Sequence, residues 1–228
     1  MRSPGNDEEL AAGFLLTESI LKGKHELRSI RRPRGRKSSA GNVVEVTSTE
    51  EAKSAKRGWQ RNFVSASSCG LCGKLTIEAV RLDAPPIRDD GLSVSAKTLS
   101  SLVGKMRSEQ GGFDETGGVH AAGLFDVDGK LLYLREDIGR HNAVDKIVGA
   151  ALLEDRLPLR ERILVVSGRA SFEIVQKALM ARIPLVAAVS AASSLAVELA
   201  RSSGMGLVGF LRGSSMNVYC GSERVEVS

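Results

Sequence analysis

The sequence predicts an α/β fold, a mixed sheet with helices on both faces, preceded by a smaller irregular N-terminal α/β region. Two observations carry this. The unbroken apolar runs "RILVVSG", "PLVAAVS" and "GLVGFLR" alternate with helical stretches. Strands buried on both faces in a parallel sheet read this way, because neither face can be polar. In addition, "VHAAGLFDVDGKLLYLRED" places Asp128-Gly129 between two strand-like segments, a strong signal for a hairpin that adds an antiparallel edge.

The elements follow in order. "NDEELAAGFLLTESILKG" opens as a helix, with Asn6 or Asp7 as cap, acidic residues in its first turn and Gly23 as its stop. "NVVEV" reads as a short strand. "SVSAKTLSSLVGKMRSEQGG" is a helix with Leu99, Leu102, Val103 and Met106 on one face, ended by Gly111-Gly112. After the hairpin come the helix "HNAVDKIVGAALLEDR", the three apolar strands, and between them the helices "ASFEIVQKALMARI" and "SSLAVELARSSG". Pro85-Pro86 and the stretch from Arg88 to Gly91 mark a boundary, dividing residues 1–88 from an α/β domain at 89–228.

The bulk composition is that of an ordinary soluble protein, 42% hydrophobic and 26% charged over 228 residues. No apolar run reaches the ~18 residues of a membrane span, and the N-terminus does not read as a signal peptide, so a cytoplasmic protein is expected. The net charge of +5 is concentrated: residues 22–37 carry eight Lys/Arg against one Glu, so the rest of the chain has a net −2. That run reads as a solvated loop or a dock for an anionic partner. No aromatic residue interleaves it for base stacking, which argues against nucleic acid.

The order hairpin, helix, strand, helix, strand, helix, strand matches the core of cytidine-deaminase-like folds. Zinc deaminases need H-x-E at one helix start and P-C-x-x-C at the next. Here those places read His141-Asn142-Ala143 and "SGRAS", Ser167 to Ser171, so the scaffold lacks the deaminase chemistry.

"SSCGLCGK", residues 67–74, carries two of the three cysteines. Cys69 and Cys72 supply two of the roughly four ligands that zinc needs, and no second C-x-x-C exists, so no metal is expected. A thioredoxin-type dithiol opens a helix, whereas the glycine after each cysteine favours a flexible loop. A sulfur carrier is the third option. Its thiolate would accept sulfane sulfur as a persulfide, Gly70 and Gly73 would let it visit two partners, and Lys74 would favour the thiolate. The local pattern leaves these readings open.

"SSCGLCGK", "TGGVHAAGLF", "EDIGRHNAVDKIVG", "SGRASFEIVQKALMARIPLVAAVSAASSLAVELA" and the opening "MRSPGNDEELAAGFLLTE" together resemble the FdhD/NarQ family of formate dehydrogenase accessory sulfurtransferases. The resemblance implies a cytoplasmic homodimer on a deaminase-like fold. It implies sulfur taken from a cysteine desulfurase and delivered to the bis-molybdopterin guanine dinucleotide cofactor, the acceptor substrate, for the formate dehydrogenase catalytic subunit. It maps the sulfur-relay loop onto Cys69 and Cys72, and the cofactor-binding stretch onto Phe210, Leu211, Arg212, Gly213, Ser214 and Ser215.

The residues agree with a dinucleotide ligand. Pyrophosphate suits helix N-termini and arginine forks. "SGRAS" sets Arg169 and serines at one helix start, and Ser190 to Ser194 make another. Arg212 and Gly213 follow the last apolar strand, near the crevice where α/β sheets bind ligands. Asp137, Arg140, His141 and Asp145 gather in "DIGRHNAVDK", either as ligand contacts or as a structural ion-pair and capping network. A cofactor-binding chaperone that moves no sulfur and a dithiol oxidoreductase are the alternative functions.

Overall fold

A computed structural model of the chain describes residues 1–33, 43–49, 84–87 and 91–226. Its described helices are α1 (Asp7–Thr17), α2 (Ala96–Ser108), α3 (Gly111–Thr116), α4 (Arg140–Leu153), α5 (Phe172–Met180) and α6 (Ser194–Ser202). Its strands are β1 (Leu27–Arg31), β2 (Glu45–Ser48), β3 (Val94–Ser95), β4 (His120–Phe125), β5 (Leu131–Asp137), β6 (Ile163–Val166), β7 (Leu185–Ala188), β8 (Gly206–Arg212), β9 (Ser215–Cys220) and β10 (Val225–Glu226).

Six strands form the main sheet in the order β5-β4-β6-β7-β8-β9. β6, β7 and β8 are parallel; β4 and β5 form the hairpin around Asp128-Gly129, with Leu124 opposite Tyr133, and β9 closes the far side antiparallel to β8. This is the deaminase-like mixed sheet, and the alternation of side chains along β6 shows why its strands read as continuous apolar runs. Ile163 and Val165 join one core, Leu164 and Val166 the other. Helices α1, α4, α5 and α6 cover the Leu164 face, and α2 covers the opposite face with Leu99, Leu102 and Met106 fully buried.

Helix α1 lies against α4 in the larger core. At the crossing Gly13 approaches the carbonyl of Asp145 and Gly149 that of Glu9, and a Cβ on either glycine would overlap the facing backbone. Three polar clusters fasten the same region. Asp145 receives Lys177 Nζ at 2.9 Å and Thr17 Oγ1 at 2.8 Å. Lys146, wholly buried, donates to Asp137 at 2.8 Å and to the Glu136 carbonyl at 3.0 Å. Asp7 pairs with Arg2 at 2.8 Å and also with Arg32.

Two helix boundaries differ from the sequence expectation. α1 ends at Thr17, short of Gly23, because Ser19 takes a left-handed φ of 59° and the N–H groups of Ile20 and Leu21 both turn back to the Leu15 carbonyl. Its cap also differs. Asn6 sits at the N-cap in a left-handed conformation and makes no side-chain cap bond, and Asp7 is taken up by its arginines. Gly111-Gly112 begin a short helix where the sequence suggests a stop, because the Glu136 carboxylate accepts from the N–H groups of Gly112 at 2.7 Å and Phe113 at 2.9 Å.

Candidate functional site

Among the described residues, a concentration of ligand-binding groups lies at the carboxyl ends of β6 and β7. Each strand there passes through a short loop into a helix that runs back along the sheet. The loops are held together by an Ala170–Ala192 bridge, by Ala170 N–H donating to the Ala191 carbonyl and by Ser193 N–H donating to the Ala170 carbonyl. Side by side, they present the N-termini of α5 and α6. Ser171 and Ser193 are the N-cap residues, and Ser193 Oγ accepts from Ala196 N–H at 3.2 Å.

Between the two helix starts is an open cavity of about 410 Å³, lined by Arg140, Arg169–Phe172 and Ala191–Leu195. Arg169 is exposed at its mouth, whereas Arg140 Nε is buried and has no hydrogen-bond partner among the described residues. Two guanidinium groups and two positive helix ends therefore converge without an acidic side chain in the lining. An anion with several oxygens, such as a pyrophosphate, is the ligand this arrangement stabilises.

Two histidines stand behind the arginines. His141 Nε2 is 3.2 Å from Ser171 Oγ and 3.7 Å from Glu173, and His120 lies against Gly168. Burial, followed by the positive charge of Arg140, lowers the His141 pKa to about 4 despite the opposing pull of Glu173. Burial, Arg140 and Arg169 lower that of His120 as well. Both imidazoles are therefore neutral at pH 7 and keep a hydrogen-bonding nitrogen of each kind. Among the described residues no three His, Cys, Asp or Glu side chains gather to hold a metal.

The predicted residues fall into distinct groups. Cys69 and Cys72, with Lys74, lie outside the described residues. Phe210 to Ser215 occupy the end of β8, a turn at Gly213-Ser214 and the start of β9. They do not line the cavity, but they are fastened to its loop: Phe210 N–H donates to the Ser190 carbonyl at 3.1 Å and Arg212 Nε to the Val189 carbonyl at 3.1 Å. Phe210 is 39% exposed in a left-handed conformation, at a bulge that turns its ring out of the strand. Leu211 is fully buried, so only its backbone can meet a ligand. Arg212, Gly213, Ser214 and Ser215 are exposed, with Gly213 at φ 53° in the turn.

The residues of "DIGRHNAVDK" separate by role. Asp137 binds Lys146, Asn142 and the N–H groups of Ser3 and Gly139, and Asp145 binds Lys177 and Thr17. Those two carboxylates are structural, while Arg140 lines the cavity and His141 stands behind it. His120 reaches the site from the start of β4, which no local pattern marks.

Comparison with known proteins agrees with this architecture. The profile of the FdhD/NarQ family matches residues 1–226. A Streptomyces coelicolor protein named sulfur carrier protein FdhD is 51% identical over 235 residues, covering 99% of this chain and 82% of that protein. A protein of the same name from Saccharolobus solfataricus is 40% identical over 225 residues, with 99% and 82% covered. The crystal structure of a formate dehydrogenase accessory protein from Desulfotalea psychrophila superposes with a TM-score of 0.74 at 27% identity, again over 99% of this chain and 82% of the other. With the family profile spanning nearly its whole length, this chain belongs to the FdhD/NarQ family.

Proposed function

We propose that the chain is a cytoplasmic sulfur carrier that takes persulfide sulfur from a cysteine desulfurase and delivers it to bis-molybdopterin guanine dinucleotide, in support of a formate dehydrogenase and as a homodimer. The observation that carries this reading is the cavity between the starts of α5 and α6, with Arg140 and Arg169 beside it. Its volume of about 410 Å³ suits one nucleotide end of such a substrate, and Arg140 Nε is a buried donor with no partner among the described residues. Phe210 to Ser215, at the end of β8, are hydrogen-bonded to the loop that leads into α6.

The chemistry belongs to the cysteine pair. In loading, the Cys69 thiolate attacks the outer sulfur of the desulfurase persulfide. An S–S bond forms on Cys69, and the desulfurase cysteine leaves as thiolate. In release, the Cys72 thiolate attacks the inner sulfur, a Cys69–Cys72 disulfide forms, and hydrosulfide departs to the acceptor. A thiol reductant then restores both cysteines. Arg140 and Arg169 hold the acceptor's phosphates and take no part in these bond changes.

Peptide mass spectrometry after incubation with a cysteine desulfurase and free cysteine tests the carrier. One added sulfur atom is expected on Cys69, absent in Cys69→Ser. Titration with GDP tests the cavity separately, with an expected loss of about tenfold in affinity for Arg169→Ala. GDP binding without sulfur loading would favour a chaperone that only holds the nucleotide end.

A further inference from the structure

The basic run acquires a definite shape where the structure describes it. From Leu21 to Glu26 the chain makes a compact turn in which the Glu26 carboxylate points inward and accepts from Lys22 N–H at 2.8 Å. Leu21 is buried beneath, and the His25 ring folds over Gly23. The run's one carboxylate is thus withdrawn from the surface, while Lys22, Lys24 and His25 stay exposed. Among the described residues none of these three forms an ion pair.

Lys22, Lys24 and His25 border one side of a groove of about 510 Å³. Its floor is apolar, with Leu16, Leu152, Leu157 and Met180 among its lining, and Arg182, whose guanidinium donates to the Pro85 and Pro86 carbonyls, also borders it. Asp155 is its one acidic residue. The groove adjoins the last residue of α5, whereas the anion-binding cavity adjoins the first; the two ends of this nine-residue helix are about 12 Å apart, and the sites share no lining residue. A ligand in one therefore leaves the other open.

An apolar trough rimmed by cations is complementary to a peptide that offers an apolar side chain flanked by carboxylates. We propose that this groove docks an acidic segment of a partner protein, anchored by an apolar side chain set on its floor beside Lys22 and Lys24. Floor burial supplies affinity and the cationic wall supplies orientation and partner choice. Cations near the ends of α4 and α5 would also offset those helix C-termini. That role acts on folding alone, so the two are separable by experiment.

The test is fluorescence anisotropy with the full chain and a short labelled Glu/Ser peptide carrying two central leucines. Lys22→Glu/Lys24→Glu is expected to weaken binding about tenfold with an unchanged melting temperature. Replacing the leucines by serine in the peptide is expected to weaken it by a similar factor. The matched reversal Lys97→Glu/Lys130→Glu, at exposed positions elsewhere, should change it by less than about twofold. Equal losses in both double variants, undiminished binding of the leucine-free peptide, or no binding of the leucine peptide would each overturn the proposal. None of these outcomes depends on sulfur loading or on GDP.

Discussion

The His141 imidazole lies 3.2 Å from the Ser171 hydroxyl, joining the first turn of α4 to the cap of α5 at the back of the anion-binding cavity. Burial is the main cause that disfavours its charged form, followed by Arg140, with Lys177 adding to it and Glu173 opposing. In the folded chain His141 stays neutral down to about pH 4, well below its ordinary 6.5. Between those values the unfolded chain binds a proton that the folded chain refuses, so stability falls as pH drops from 6.5 towards 4. Asp137 adds a later loss. Burial alone would raise its pKa, but the hydrogen bonds from Lys146, Gly139, Asn142 and Ser3 outweigh it and lower the value from 3.8. Its stabilisation is therefore present above 3.8 and lost below. Urea melts across pH 8 to 3 should show a decline beginning near 6.5, and His141→Gln should remove much of that first step.

A bound anion works against this lowering at His141 and at His120, because it favours their protonated forms. Sulfate, which does not titrate in this range, should accordingly bind with proton uptake and more tightly at pH 5 than at pH 7. Calorimetry in two buffers of different ionisation enthalpy measures the protons directly. Equal apparent enthalpies in both buffers would count against any coupling between the histidines and the bound anion.

The crossing of α1 and α4 leaves no room for a methyl group at Gly13 or Gly149. Gly149→Ala should cost several kcal/mol although alanine is the better helix former, because helix propensity gains only about 1 kcal/mol. Thermal denaturation followed by circular dichroism checks the sign. Gly104→Ala, in α2 with open space around the site, should be neutral or stabilising.

The buried pair of Asp145 and Lys177 is a third point of failure. Lys177→Met removes the cation and leaves Asp145 enclosed with the Thr17 hydroxyl and the nearby Glu18 carboxylate. A loss of about 3–5 kcal/mol is expected. The double variant Asp145→Leu/Lys177→Met should recover part of it, read from the midpoint of a denaturant curve.

The sheet was legible because its signals are local: "ILVV" and "LVAA" have no polar face to misread, and Asp128-Gly129 specifies its own turn. Much of the cavity was legible too, since "SGRAS" and "SAASS" follow strands and open helices. What escaped depends on groups far apart in sequence. Gly111-Gly112 look like a stop until Glu136, on β5, supplies a carboxylate that caps them. His120 shows its place only once β4 pairs with β6 and brings it beside Gly168. Gly13 and Gly149 look like ordinary helix glycines until their helices cross.

That crossing also bears on how the chain is made. Leu10, Phe14 and Leu15 join Ala12 and Leu16 in making α1 apolar on nearly every side, and its seat on α4 is made of residues synthesised much later. Gly149 follows Gly13 by 136 positions, so at about 5–20 residues per second the helix waits roughly 7 to 27 seconds before its partner is synthesised. During that interval its apolar surface has no seat, and docking of α1 is deferred until α4 has been translated.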